Sequence, residues 1–251
     1  MFEVSFIPAF KDNYIWLLQH DRRAFVVDPG DAAPVIARLE ADGLALAGIL
    51  ITHHHADHQG GVEALIRRWP VPVFAPAAES ITGCSHPLSG GECIDVLGTP
   101  VQVLAVPGHT LGHVAYIAGD RLFCGDTLFG AGCGRLFEGT PAQMAESLAV
   151  IAALPPATQV HCAHEYTEAN LRFALAVEPD NPAIRERVAR VAGLRAAGRS
   201  SVPSTLAEEL ATNPFLRCRE PGVIAAAKRQ GAAGDSPVAV FSAIRGWRNG
   251  F

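Results

Sequence analysis

Thr52-His53-His54-His55-Ala56-Asp57-His58 follows directly on the apolar run Gly48-Ile49-Leu50-Ile51. A short run of β-branched and aliphatic residues bounded by turn formers reads as a buried strand. Four imidazoles and a carboxylate therefore emerge where that strand stops. In extended backbone, side chains two residues apart share a face, so His53 and His55 can converge while His54 points away. Asp57 and His58 come after the turn and can serve a neighbouring point. Two pairs of nitrogen and oxygen donors suit borderline divalent cations. A histidine tag would stand at a terminus, not behind a core strand.

Three further segments repeat the pattern. Pro107-Gly108-His109-Thr110 follows the strand 101–106, Gly125-Asp126-Thr127 follows 121–124, and Ala163-His164-Glu165 follows 159–162. Each brings a ligand-type residue to a strand end, where the loops of layered sheets gather into a site. Other histidines lack such a context: His20, His86 and His161 read as surface or core residues. His54 and His113 lie close enough to orient a neighbour's ring or to serve simple packing. Asp28, in Val27-Asp28-Pro29-Gly30, reads as a strand-closing turn. Cys124 and Cys162 fall within apolar strands and read as core.

Working outward, strands at 2–7, 14–19, 24–28, 71–74, 93–97 and 113–117 alternate with helical patterns at 34–42, 61–69 and 141–154. Serial strands with helices able to cover both outer faces predict an α/β body of two packed sheets. After His164 the character changes. Ala-, Arg- and Glu-rich segments punctuated by Pro179, Pro182, Pro203, Pro214 and Pro221 predict a helical unit of about 85 residues. The expected division is a metal-binding α/β domain at 1–164 and a helical domain at 165–251.

The chain has 251 residues, 49% hydrophobic and 18% charged, with a net charge of −5. Roughly 70% of the surface of a chain this long is buried on folding, so disorder is excluded as its main state. The longest stretch without Asp, Glu, Lys or Arg, 96–119, is broken by prolines and histidines, which argues against a membrane span. The acidic balance argues against nucleic acid as a partner. No Lys or Arg precedes the short apolar start, so no signal peptide is expected. Six scattered cysteines without a Cys-x-x-Cys spacing point to free thiols and a cytoplasmic location. No Gly-x-Ser-x-Gly segment is present, which disfavours a covalent acyl-enzyme.

Together these motifs resemble the metallo-β-lactamase superfamily and, within it, glyoxalase II, the hydroxyacylglutathione hydrolases. The resemblance implies an αββα sandwich followed by a smaller helical C-terminal domain, and assigns catalysis to the first and substrate binding to the second. It implies one metal held by His53, His55 and His109, and another by Asp57, His58 and His164, with Asp126 bridging both. The metals would be two divalent ions, zinc expected, with iron or manganese compatible with the same donors. Asp57 and Asp126, with a metal-bridging hydroxide, are the expected catalytic groups. A thioester needs no strong general acid, because a thiol of pKa near 8.5 leaves readily as thiolate.

Less specific segments imply glutathione contacts. Gly132-Cys133-Gly134-Arg135-Leu136-Phe137 resembles the family's glutathione loop, and His164-Glu165-Tyr166-Thr167 a segment whose tyrosine lines the same pocket. Asn213-Pro214-Phe215-Leu216-Arg217 also resembles a family segment. The tail Arg245-Gly246-Trp247-Arg248-Asn249-Gly250-Phe251 is similar to an Arg-x-x-Lys-Asp-x-Phe ending whose cations meet glutathione carboxylates. Here Arg248 stands for Lys, Asn249 for Asp, and Phe137 for a frequent Tyr. The implied activity is hydrolysis of S-(2-hydroxyacyl)glutathione, typically S-D-lactoylglutathione, to glutathione and D-lactate in methylglyoxal detoxification, by a monomer. The alternatives within the superfamily are a persulfide dioxygenase with one iron, which lacks the long helical unit, and another hydrolase such as a nucleic-acid phosphodiesterase.

Overall fold

The computed structural model describes residues 2–251. Packing divides the chain into two compact units, one reaching to Ala105 and including Thr110–Gly125, the other formed by Val106–His109 and Asp126–Phe251.

The first unit contains β1 (Glu3–Ala9), β2 (Asn13–His20), β3 (Arg23–Val27), α1 (Ala32–Asp42), β4 (Ala45–Leu50), α2 (Ala56–Gln59), α3 (Val62–Arg68), β5 (Val73–Pro76), β6 (His86–Leu88), β7 (Cys93–Val96), β8 (Thr99–Ala105), β9 (Val114–Ala118) and β10 (Arg121–Gly125). Strands β1 to β6 form one sheet in sequence order. It is antiparallel from β1 to β3 and parallel from β3 to β6. The crossover from β3 to β4 carries α1 and that from β4 to β5 carries α2 and α3, whereas β5 and β6 are joined by an irregular loop. Strands β7 to β10 form a second, antiparallel set.

Alternation along β2 shows how the layers form. Ile15 and Leu17 enter a cluster with Val35 and Leu39 of α1 and Val62 and Leu65 of α3. Trp16 turns the other way and meets the Phe123 ring of β10 at 6.4 Å. Both faces of β2 are therefore buried, which explains its unbroken apolar run. The Tyr116 hydroxyl of β9 donates to the Ile51 carbonyl at 2.7 Å, fastening the end of β4 to the second strand set. Asp31 caps α1 by accepting from the Ala33 N–H at 2.9 Å. Each fully buried Leu or Val at such positions contributes about 1.5–3 kcal/mol of burial free energy.

The second unit contains β11 (Leu128–Phe129), β12 (Gly132–Cys133), α4 (Pro141–Ala152), β13 (Gln159–Cys162), α5 (Thr167–Val177), α6 (Pro182–Ala196), β14 (Ser204–Thr205), α7 (Leu206–Thr212), α8 (Pro221–Arg229) and α9 (Pro237–Asn249). The expected helices are all present. β13 stands where a strand was expected at 159–162, whereas the two-residue strands β11, β12 and β14 are too short to carry a periodic signal. Thr140 and Gln143 form a reciprocal capping box ahead of Pro141, which fixes where α4 begins. The most deeply buried charges are Arg187 and Glu209, joined at 2.5 Å. Glu209 also accepts from the Ala131 N–H at 2.8 Å, and Asn213 donates to the carbonyls of Phe129 at 3.2 Å and Gly132 at 2.9 Å. The helical segment thereby holds the β11–β12 turn from within.

Candidate metal centre

In the first unit, β4 runs out into Thr52 and the histidine segment, and His55 stands at the N-terminal cap of α2. Asp57 falls in the first turn of that helix, where a carboxylate is favoured by the exposed N–H groups. His53 and His58 are buried. His53 Nε2 and His55 Nδ1 approach to 3.0 Å, so these two rings converge as the strand alternation predicts. His54 turns away, as expected, onto Glu79.

Hydrogen bonding fixes which ring nitrogens face the cluster. Asp28 accepts from the Thr52 N–H at 2.8 Å and from the Thr52 hydroxyl at 2.7 Å. That hydroxyl has spent its proton, so it accepts from His53 Nδ1 at 3.0 Å, leaving Nε2 as the lone-pair nitrogen. The same Asp28 carboxylate faces His58 Nδ1 at 3.0 Å and directs the His58 Nε2 lone pair outward. His58 Nε2 lies 3.5 Å from Asp57 Oδ2, which also accepts from Asn13 Nδ2 at 3.0 Å. His113 stacks on His53, ring centres 4.7 Å apart. Asp28, His53 and His58 together form a cluster whose donor atoms lie within 4.8 Å of one another.

In the second unit, Asp126 lies between two imidazoles. Its Oδ2 is 3.3 Å from His109 Nε2 and its Oδ1 is 3.4 Å from His164 Nε2. All three side chains are buried. His109 Nδ1 donates to the Arg135 carbonyl at 2.7 Å, which again leaves Nε2 as the lone-pair nitrogen. The Tyr166 ring lies parallel over His164 at 4.7 Å, and Phe129 meets both rings edge-on. Phe137 is 60% exposed, presents its ring to His109 at 5.3 Å, and carries the Arg135 guanidinium 5.4 Å from its own centre.

The C-terminal cations differ in setting. Arg245 is buried; its Nη1 donates to the Cys133 carbonyl at 2.9 Å and its Nη2 to Asn249 Oδ1 at 3.1 Å. Its Nε has no hydrogen-bond partner among the described residues. Arg248 donates to Asn170 Oδ1 at 3.3 Å. Burial, then the like charge of Arg245, push the Arg248 guanidinium below its ordinary pKa.

Sequence reasoning missed two carboxylates here. Asp28 does close a strand, with φ 52, but it is also the acceptor that orients Thr52 and His58. Its signal was the Asp at the end of a strand neighbouring the one that carries the histidines. Glu79 left no signal, lying in an irregular loop.

Sandwiched sheets with imidazoles and carboxylates at the strand ends define a metallo-hydrolase type of fold, and comparison agrees. A family model described as the metallo-beta-lactamase superfamily matches residues 10–92 and 77–164, and one described as hydroxyacylglutathione hydrolase C-terminus matches 165–251. The crystal structure of ETHE1 from Myxococcus xanthus superposes with a TM-score of 0.68 at 24% identity, covering 99% of this chain and 98% of that one. Hydroxyacylglutathione hydrolases of Dechloromonas aromatica (strain RCB) and Methylobacillus flagellatus are 68% and 57% identical, each over the full length of both chains. The chain belongs to the hydroxyacylglutathione hydrolase family.

Proposed function

We propose that this hydrolase cleaves S-(2-hydroxyacyl)glutathione thioesters, with S-D-lactoylglutathione as the typical substrate, using two divalent cations, zinc in the first instance. In this reading His53, His55 and His109 hold one cation, Asp57, His58 and His164 the other, and Asp126 bridges them. The observation that carries it is Asp126, each of whose oxygens lies beside the Nε2 of a different buried imidazole. The donor set fits the group: every proposed ligand offers nitrogen or oxygen, and hydrogen bonds to Asp28, Thr52 and Arg135 aim the Nε2 atoms of His58, His53 and His109. When bound, such a pair supplies hydroxide at neutral pH and polarises the acyl carbonyl.

The chain's own residues bind and orient the rest of the substrate. Arg135, Phe137 and Tyr166 are proposed to line the glutathione site, with the half-exposed Tyr166 ring held by its stack on His164. Arg248 and Arg245 repel each other, and a glutathione carboxylate placed against them relieves that repulsion. Arg245 has a second duty in holding the Cys133 carbonyl, so Arg248 is the cleaner residue to test. The family's role in methylglyoxal detoxification and a cytosolic site of action complete the reading. Six cysteines that form no disulfide and the lack, among the described residues, of any helix long and apolar enough to cross a membrane are in keeping with it.

The test is loss of thioester absorbance from S-D-lactoylglutathione with the metal-loaded protein, alongside oxygen uptake with glutathione persulfide. Fast thioester loss without oxygen uptake is expected. Turnover no faster than buffer, or oxygen uptake instead, overturns the proposal. Arg248→Ala is expected to raise KM while leaving kcat nearly unchanged.

A further inference from the structure

Glu79 stands in the loop between β5 and β6, outside every ligand position proposed above, and its side chain is 3% exposed. Its two oxygens serve two different segments. Oε2 accepts from the His54 backbone N–H at 2.6 Å and from His54 Nδ1 at 2.9 Å. Oε1 accepts from the Thr110 hydroxyl and from the Gly112 N–H at 3.0 Å. The loop that carries Glu79 is itself tied down. Gln59 Nε2 donates to the His54 carbonyl at 2.6 Å and to the Ser80 carbonyl at 3.2 Å, while Gln59 Oε1 accepts from the Thr82 N–H at 2.9 Å. A Cβ on Gly112 would lie 2.5 Å from Glu79 Cγ, so the carboxylate reaches its place only because residue 112 is glycine. Hydrogen bonds to an ionised acceptor are roughly twice as strong as neutral ones, and here four converge on a single carboxylate.

We propose that Glu79 is a positioning residue for the metal centre. It staples His54, the residue between His53 and His55, to the segment that follows His109 in the chain. Glu79 touches neither cation nor substrate; it acts by fixing the backbone from which the ligands project. The proposal rests on the binuclear reading above. Without the staple the Thr110 and Gly112 donors and the His54 N–H must find water, and the ligand backbone is no longer held to a single geometry. Binding of cations suffers before binding of substrate does.

The experiment compares wild type, Glu79→Gln, Glu79→Ala and Gly112→Ala in three measurements. These are chelator competition for bound zinc, the visible absorption spectrum of the cobalt-substituted protein, and kcat and KM. Thermal unfolding of each variant runs alongside. In Glu79→Ala, affinity for zinc is expected to fall about tenfold to a hundredfold, the loss usual when a ligand's support is removed. The cobalt spectrum is expected to shift, and kcat to fall with KM unchanged. Glu79→Gln, which keeps one carbonyl acceptor, is expected to recover part of the affinity. Gly112→Ala is expected to reproduce the defect with Glu79 still present. Wild-type zinc affinity and an unshifted cobalt spectrum in all variants that fold would reduce Glu79 to a purely structural role and overturn the proposal. A wild-type protein that holds no cation tightly overturns instead the binuclear reading on which this one stands.

Discussion

Asp28→Asn is the sharpest perturbation the site allows, because it removes a charge without removing an atom. The Asp28 carboxylate is buried and accepts three donors: the Thr52 N–H on Oδ1, and the Thr52 hydroxyl and His58 Nδ1 on Oδ2. An amide must keep its oxygen toward the Thr52 N–H, so its NH2 group faces two donors. The Thr52 hydroxyl can rotate away. His58 can respond only by changing tautomer, which places a proton on Nε2, the nitrogen proposed to hold the cation. Loss of a partner that orients a ligand costs about 10- to 100-fold in metal affinity, or about 1.4–2.7 kcal/mol. Asp28→Ala goes further. It strands the Thr52 N–H and the His58 ring, at about 1–3 kcal/mol for each buried donor left without an acceptor. The resulting loss of about 2–6 kcal/mol is large beside a typical total stability of 5–15 kcal/mol. Zinc competition and chemical denaturation separate the two effects. Wild-type zinc affinity in a folded Asp28→Asn protein would refute the tautomer argument, whatever Asp28→Ala does to stability.

Other outcomes are equally definite. A Cβ at residue 134 would lie 1.9 Å from the Asp126 carbonyl oxygen and 3.0 Å from His109 Nδ1, so Gly134→Ala is expected to lower both metal content and kcat; metal analysis checks it. Glu209→Ala removes the nearer of the two carboxylates on the buried Arg187, leaving only Glu208 Oε2 at 3.4 Å, and strips the Ala131 N–H of its acceptor, an expected loss of up to about 3–5 kcal/mol that denaturant titration will measure. Burial pushes the Cys162 and Cys218 thiols up to about 12 and raises Cys133 as well. At pH 8 the native protein should therefore present the exposed Cys93 promptly and the half-buried Cys84 more slowly to an aromatic disulfide reagent, and prompt reaction of four or more thiols would contradict the structure.

The parts legible in the sequence were those with a period or a fixed spacing. Alternation between His53 and His55 put their rings together because the side-chain period of a strand is independent of what packs around it. The long helices after His164 announced themselves through Ala-, Arg- and Glu-rich composition punctuated by prolines, as at Pro182, which stands at the first turn of α6. What stayed hidden depends on partners far along the chain. Asp28 meets Thr52 and His58, and Glu79 meets Thr110 and Gly112, across separations that no local pattern encodes. Two-residue strands such as β11 are made by Asn213 and Glu209, not by their own residues. Arg245 illustrates a third limit: its charge was visible in the tail, but not that both of its Nη nitrogens donate to the chain itself.

The acceptors that shape the histidine loops, Asp28 and Glu79, draw on amide, hydroxyl and imidazole protons belonging to the polypeptide. Folding of these loops is thus expected to proceed without ion capture, unlike that of small zinc modules whose architecture forms only around the ion, and circular dichroism of metal-stripped protein checks it. Newly synthesised chains would reach their final shape first and take up cations afterwards. Which element they acquire is then a matter of cellular supply and exchange rate, since nitrogen and oxygen donors rank the first-row ions by affinity without rejecting any of them. Cells grown on iron and cells grown on zinc should yield the same far-ultraviolet circular dichroism from differently populated molecules.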